Sequence, residues 1–189
     1  MRTRIEAPSA LLEAAGVLLE GGGGMLLTTN LNKALFYLDA HSLLEFGKLA
    51  TNDLYVALEH GPVIEGYNGR LINALEVHSI ATQDTDNPNY KPVYLTNPVK
   101  PSRLTEAQVK LALGIGKWAH AKSATELENY SHENAAWKMA FKEREGTEID
   151  MRIAMQQLLD ADPWMKAEWT EDEKVLLSLT LKEEGFEVW

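Results

Sequence analysis

Apolar residues recur at helical spacing early in the chain, at Leu11, Leu12, Ala15, Leu18 and Leu19, and the pattern stops at Gly21 to Gly24. Positions three and four apart share one face of a helix, so this spacing predicts an amphipathic first helix. Pro8 suits its first helical position, and the four glycines, which hold a helix poorly, predict a flexible turn. Without a following Gly-Lys-Ser or Gly-Lys-Thr they are not a phosphate loop. A second helix is predicted from Thr29 or Asn30, either of which can cap it, through Leu31, Ala34, Leu35, Leu38 and Leu43. It is expected to be mostly buried.

From Asp53 the pattern changes. Leu54-Tyr55-Val56-Ala57-Leu58 predicts a short strand closed by a turn at Gly61-Pro62, where Gly permits the turn, Pro fixes one torsion and Val63 returns the chain to the core. Val77 to Thr82 and Pro92 to Thr96 are further strand candidates, joined as a hairpin by the polar loop Gln83 to Asn89. The aspartates of that loop do not make a calcium site. A loop starting at Asp84 would have Asn89 where the sharp-turn glycine belongs and Leu95 where the bidentate glutamate belongs.

The second half reads as helical. Thr105 with Gln108 is a capping box, with Leu104 and Val109 placed as a hydrophobic staple, so a helix is predicted through Leu113 towards Trp118. Ser123 with Glu126 opens a short helix through Leu127 and Tyr130, and Thr147 with Asp150 and Thr170 with Glu173 repeat the signal. Glu143 to Thr147 reads as a hinge into a C-terminal helical extension. The predicted class is mainly α, a compact helical domain with a small antiparallel β-sheet or hairpin.

Composition narrows what such a fold can do. The 189 residues, 45% of them hydrophobic, suit one domain with a C-terminal addition. No apolar run approaches the roughly 18 to 20 residues that span a bilayer. The stretch after Arg2 and Arg4 is broken by Glu6, Pro8 and Glu13, unlike a signal peptide, so a cytoplasmic protein without a membrane partner is expected. With no cysteine, disulfides, thiolate zinc sites and a cysteine nucleophile are excluded. A net charge of −10 argues against binding a phosphate backbone, which is driven by clustered Lys and Arg, so no nucleic-acid partner is expected. From Glu143 to Trp189 there are 13 acidic and 5 basic side chains, so most of that charge lies at the end of the chain.

Candidate chemistry is sparse. His41, His60, His78, His120 and His132 are scattered without paired spacing, and Ala136 stands where a zinc-protease helix would carry its second histidine after His132-Glu133. No metal or cofactor is expected. No Gly-x-Ser-x-Gly elbow supports a serine hydrolase, and pairs among 28 acidic residues are too common to mark acid/base catalysis. Asp39 follows Leu35, Phe36 and Leu38, where a buried carboxylate needs hydrogen-bond partners; a structural bond or an exposed helix position is favoured over a ligand site. His132 reads as a helix-start histidine orienting a local turn. Trp137 reads as core. Trp164, Trp169 and Trp189, with the acidic Glu171 and Asp172 beside them, are candidates for partner contact, since tryptophans make large interface anchors.

Three segments in order carry a family resemblance: Leu31 to Asp39, then Tyr55 to Val63 with Gly61-Pro62-Val63, then Leu127 to Trp137. Together they resemble the Panacea domain, the SocA-like antitoxin family of bacteria and their phages, over roughly residues 6–141. The first family motif is a leucine-rich helix ending in Tyr-x-x-Asp, to which Tyr37 and Asp39 correspond with the aspartate one place early. The Gly-Pro-Val match is complete. The late motif has a histidine followed by Pro-Trp; His132 and Trp137 are kept and Ala136 replaces the proline. Tyr37, Asp39, Gly61, Pro62, Val63, His132 and Trp137 are expected to be structural.

The resemblance implies a mostly helical domain with a small antiparallel sheet, covering 6–141; the capping signals after it add an expected acidic, Trp-containing C-terminal helical extension, 142–189, packed on or next to it. The resemblance implies an antitoxin that binds a cognate protein toxin directly, without catalysis; the acidic charge of the chain adds the expectation that the toxin offers a basic surface, such as one for tRNA or a nucleotide. A proteolysis adaptor that delivers a toxin to an ATP-dependent protease, a phage-associated interaction scaffold, and an enzyme using Asp39 and His132 in a shared polar cleft are the alternatives. A homodimer is left open.

Overall fold

A computed structural model of the chain describes residues 9–87 and 90–161. Helix α1 (Ala10–Gly21) is capped by Ser9, whose Oγ accepts from the Leu12 amide at 3.4 Å; Pro8 lies outside the described residues. Strand β1 (Met25–Leu27) leads directly into α2 (Thr28–Phe46). Strands β2 (Tyr55–Leu58) and β3 (Gly61–Ile64) form an antiparallel hairpin, with Tyr55 opposite Ile64 and Leu58 opposite Gly61. A stretch of π-helix, Tyr67–Ile72, runs into the short α3 (Asn73–Val77). Strands β4 (Ala81–Gln83) and β5 (Pro92–Leu95) pair antiparallel, and β1 adds to the other side of β5, giving the order β1-β5-β4. Helices α4 (Glu106–His120), α5 (Ala124–His132), α6 (Ala135–Glu143) and α7 (Met151–Ala161) follow. The fold is mainly α with two small antiparallel sheets. The chain divides after Leu158 into two units.

Within the first unit α2 is the central rod. Leu31, Ala34, Leu35, Phe36, Leu38 and Ala40 are all fully buried. A helix enclosed on every side gains little from a polar stripe, and its apolar run accordingly has none. Helices α1 and α4 meet at glycines: a Cβ on Gly21 would come 2.8 Å from Leu113 Cα, and one on Gly116 3.0 Å from the Leu18 carbonyl carbon. Only residues without side chains let the two backbones approach so closely. After α6 the chain returns along the free edge of β2. There the Ala57 amide donates to Thr147 O at 2.9 Å and the Ile149 amide to Tyr55 O at 2.8 Å, so the stretch read as a hinge leads into backbone bonds with a strand.

The capping boxes at Thr105 and Ser123 are both present. Several other boundaries differ from the sequence expectation. Helix α2 begins at Thr28 behind Leu27, with no side-chain cap, because its polar first-turn side chains bond elsewhere. Thr28 Oγ1 donates to Lys91 O at 2.8 Å, and Asn30 Nδ2 donates to Ala119 O at 2.9 Å and Lys122 O at 2.8 Å. Gly61 and Pro62 lie in β3 itself, the reversal falling on Glu59 and His60. Val77 ends α3, so β4 starts only at Ala81. The last described helix starts after Asp150, whose Oδ1 accepts from the Arg152 amide at 2.9 Å, and the backbone of Thr147 is spent on β2. His132 closes α5; the next helix is capped by Asn134, whose Oδ1 accepts from the amides of Ala136 at 3.0 Å and Trp137 at 3.3 Å. Thr170 and Glu173 lie outside the described residues.

Candidate functional site

Five polar residues of α2, Asn30, Asn32, Lys33, Asp39 and Ser42, are nearly as buried as its apolar ones, and each holds a different piece of backbone. Asp39 is 0% exposed. Its Oδ1 accepts from the amides of Ala50 at 2.6 Å and Thr51 at 2.9 Å, and its Oδ2 accepts from the Tyr55 hydroxyl at 2.8 Å and from Thr51 Oγ1. Four donors converge on one carboxylate, so the loop after α2 and the start of β2 are locked to the helix. Burial lifts the Asp39 carboxyl above its ordinary range, and the bonds from Thr51, Tyr55 and Ala50 pull it back. Burial and the neighbouring Asp39 charge push the Tyr55 hydroxyl up as well. Further along, Ser42 Oγ donates to Lys48 O at 2.7 Å and accepts from Gln108 Nε2 at 2.9 Å, joining α2 to α4.

Near its start, α2 grips the β2–β3 hairpin. Asn32 Oδ1 accepts from the Ile64 amide at 3.3 Å, and Lys33 Nζ donates to Pro62 O at 3.0 Å. Lys33 is 1% exposed. Burial pulls its ammonium down to about 7, against the pull of the Glu128 carboxylate. Gly61 lies directly over it with φ +98°, and a Cβ there would be 2.7 Å from Lys33 Nζ and would meet Ser131 Oγ as well. Glycine is therefore needed twice, for the backbone angle and for the space. Ser131, fully buried in α5, donates to Glu128 O at 2.8 Å, and Glu128 Oε1 lies 3.0 Å from Nδ1 of the exposed His60 at the hairpin tip.

The late segment holds the opposite strand at the same turn end of the hairpin, where Leu58 pairs with Gly61. Trp137 Nε1 donates to Leu58 O at 3.0 Å. Its indole is stacked between His132, at 4.3 Å between centroids, and Phe141, at 4.9 Å. Nε2 of His132 is buried without a hydrogen-bond partner, so the ring serves here as a flat packing surface. Val63 and Pro62 are buried in β3. Tyr37 is 5% exposed and packs edge-on against Phe36.

Asn32, Lys33, Asp39, Ser131, His132 and Trp137 thus form a girdle around the hairpin that carries Gly61, Pro62 and Val63. Residues 31–138 match the family described as antitoxin SocA-like, Panacea domain. The chain belongs to this family. No curated protein and no solved structure matches it. The SocA-like match opens in the first turns of α2 and closes one residue past Trp137, so it contains the whole girdle and leaves out α1, β1 and α7.

The residues singled out in the sequence as family signature, Tyr37, Asp39, Gly61, Pro62, Val63, His132 and Trp137, fall on α2, on β3 and at the α5–α6 junction. Asp39 and His132 share no bond: one is enclosed against the loop at Thr51, the other stacked on Trp137. Trp164, Trp169, Trp189, Glu171 and Asp172 lie outside the described residues. Lys33, Asn32 and Ser131 were not singled out, although a lysine inside a helix read as mostly buried was a visible signal. Among the described residues no three His, Asp or Glu side chains gather as a metal site, and no helix is long and apolar enough to cross a membrane.

Proposed function

We propose that the protein is a cytoplasmic antitoxin that binds a cognate protein toxin directly and holds it inactive by occlusion, without catalysis. The observation that carries this reading is the SocA-like family match over residues 31–138. The engagement of the girdle supports it: Asp39 has four donors on its carboxylate and Trp137 is bonded to the hairpin, so these side chains work as scaffold. Recognition then falls to the surface. A chain of net charge −10 complements a basic surface, such as one that a toxin uses for tRNA or a nucleotide. Trp164, Trp169 and Trp189, with Glu171 and Asp172, are the anchors proposed in the C-terminal extension.

The test is co-expression with the product of the adjacent gene. Rescue of growth together with copurification of the two chains is expected. Occlusion further predicts an unchanged toxin half-life whether or not an ATP-dependent protease is present. A toxin that neither copurifies nor is neutralised overturns the reading, and one that disappears faster in the presence of the protein replaces occlusion with delivery for proteolysis.

A further inference from the structure

Tyr37, Trp118 and Tyr130 come from α2, α4 and α5, and their rings meet. The centroids are 5.5 Å apart for Tyr37 and Trp118, 5.2 Å for Tyr37 and Tyr130, and 5.6 Å for Trp118 and Tyr130. With His41, Gly114 and Ile115 they line a cavity of about 190 Å³. That is below the range of small-molecule pockets, roughly 300 to 1,000 Å³, and suits a single long side chain. Its mouth is open: Tyr130 is 50% exposed, and a Cβ on Gly114 would meet nothing within 4 Å. None of the three rings belongs to the girdle that holds the hairpin.

Charge decides what such a pocket attracts. The faces of tyrosine and tryptophan carry negative potential and draw a cation, arginine most often. Burial holds His41 below its ordinary range, so it opposes no cation at neutral pH, and Glu45 lies one turn beyond it on α2. Glu126 on α5, one turn before Tyr130, accepts from the Ser123 amide and hydroxyl at 2.8 Å, and Glu133, just past the end of α5, is bonded to Lys138 at 2.7 Å; these bonds hold both carboxyls below their ordinary range, so both keep their charge. The exposed Lys110 and Lys117 stand on α4, so a cation is favoured along the side formed by α2 and α5. An extended aliphatic stem ending in a planar guanidinium fits an aromatic-lined slot better than a compact ammonium does.

We propose that the Tyr37–Trp118–Tyr130 pocket is an anchor for an arginine side chain of a protein partner. This rests on the antitoxin reading for the partner's identity, a toxin with a basic surface, and identifies which face of the protein it meets. The guanidinium lies against the indole and the Tyr130 ring while the rest of the interface closes around it.

Two measurements on the full chain test this. In the first, affinity for the co-encoded toxin is compared among wild type, Tyr130→Phe, Tyr130→Leu and Trp118→Leu, with thermal melts confirming the fold. Tyr130→Phe keeps the π face and should bind within about twofold. The leucine variants keep apolar area without it and should weaken binding by about tenfold, the scale of a desolvated cation–π contact. Leucine variants that bind like Tyr130→Phe overturn the proposal.

In the second, N-acetyl-arginine amide and its neutral isostere N-acetyl-citrulline amide are titrated while the Trp118 indole N–H is followed by NMR, the resonance being assigned by its loss in Trp118→Phe. A shift with the arginine compound alone, abolished by Tyr130→Leu, is expected. Equal shifts, or none, overturn the proposal. Should the toxin fail to bind wild type while arginine amide still shifts Trp118, the antitoxin reading falls and the cation pocket stands.

Discussion

Asp39 and Lys33 are both buried ionisable groups on α2, and burial disfavours the charge of each, but they differ in their partners. The carboxylate has four donors, which offset part of the cost of burying its charge. The ammonium has three N–H groups and one acceptor, Pro62 O, and burial brings its pKa from 10.5 to about 7. This fixes a pH signature. Between about pH 7 and 10.5 the unfolded chain keeps its Lys33 proton and the folded chain has released it, so the unfolded state binds more protons and stability rises with pH. The slope from this group approaches about 1.4 kcal/mol per pH unit at most. Above pH 10 the sign reverses, because burial raises the Tyr37 and Tyr55 hydroxyls and the unfolded chain is then the one that loses protons first. Urea midpoints collected from pH 6.5 to 11 should therefore climb and then fall. Lys33→Met, which keeps the stem and removes the titration, should flatten the climb; a climb that persists in this variant would assign it to another group.

At the scale of elements, the β2–β3 hairpin is held by contacts that reach it from far along the chain: Lys33 and Asn32 below, Trp137 at one end, and the Thr147 to Ile149 backbone along β2. Gly61 is where these meet. Alanine there would carry a Cβ at φ +98° with Lys33 Nζ 2.7 Å away, so Gly61→Ala should lower stability by about 2 kcal/mol or more. The check is a lower urea midpoint at unchanged slope; an unmoved midpoint would mean that the hairpin does not sit tightly on α2. The same element shows what could be read from sequence. Capping boxes at Thr105 and Ser123 were legible because their bonds span three residues. So was the need of Asp39 for partners, though not that Thr51 and Tyr55 would supply them. Gly61-Pro62 looked like a turn because both residues favour turns, and only Lys33 and Ser131, distant in sequence, make glycine necessary within a strand. Likewise Asn30 looked like a cap for α2, yet its amide is drawn to the end of α4, 89 residues away along the chain.

At the scale of the whole molecule, charge and scaffold are separated along the sequence. Residues 31–138 carry the family match, whereas most of the net charge of −10 comes from Glu143 onward, where the sequence has 13 acidic and 5 basic side chains. Long-range attraction acts before contact and fades once ions screen it, over about 10 Å at 0.1 M salt. Packed apolar anchors act only after contact. If the acidic end steers a basic toxin, raising salt from 50 to 500 mM should slow association by an order of magnitude or so while changing dissociation little. Neutralising Glu171, Asp172 and Glu173 together to their amides should reproduce part of that slowing at low salt and reduce its salt dependence. Trp118→Leu and Tyr130→Leu should behave in the converse way, speeding dissociation and leaving the salt dependence of association nearly intact. Stopped-flow measurements on the four proteins separate the two effects. An association rate indifferent to salt in wild type would remove steering from the mechanism and leave the interface to the anchors alone.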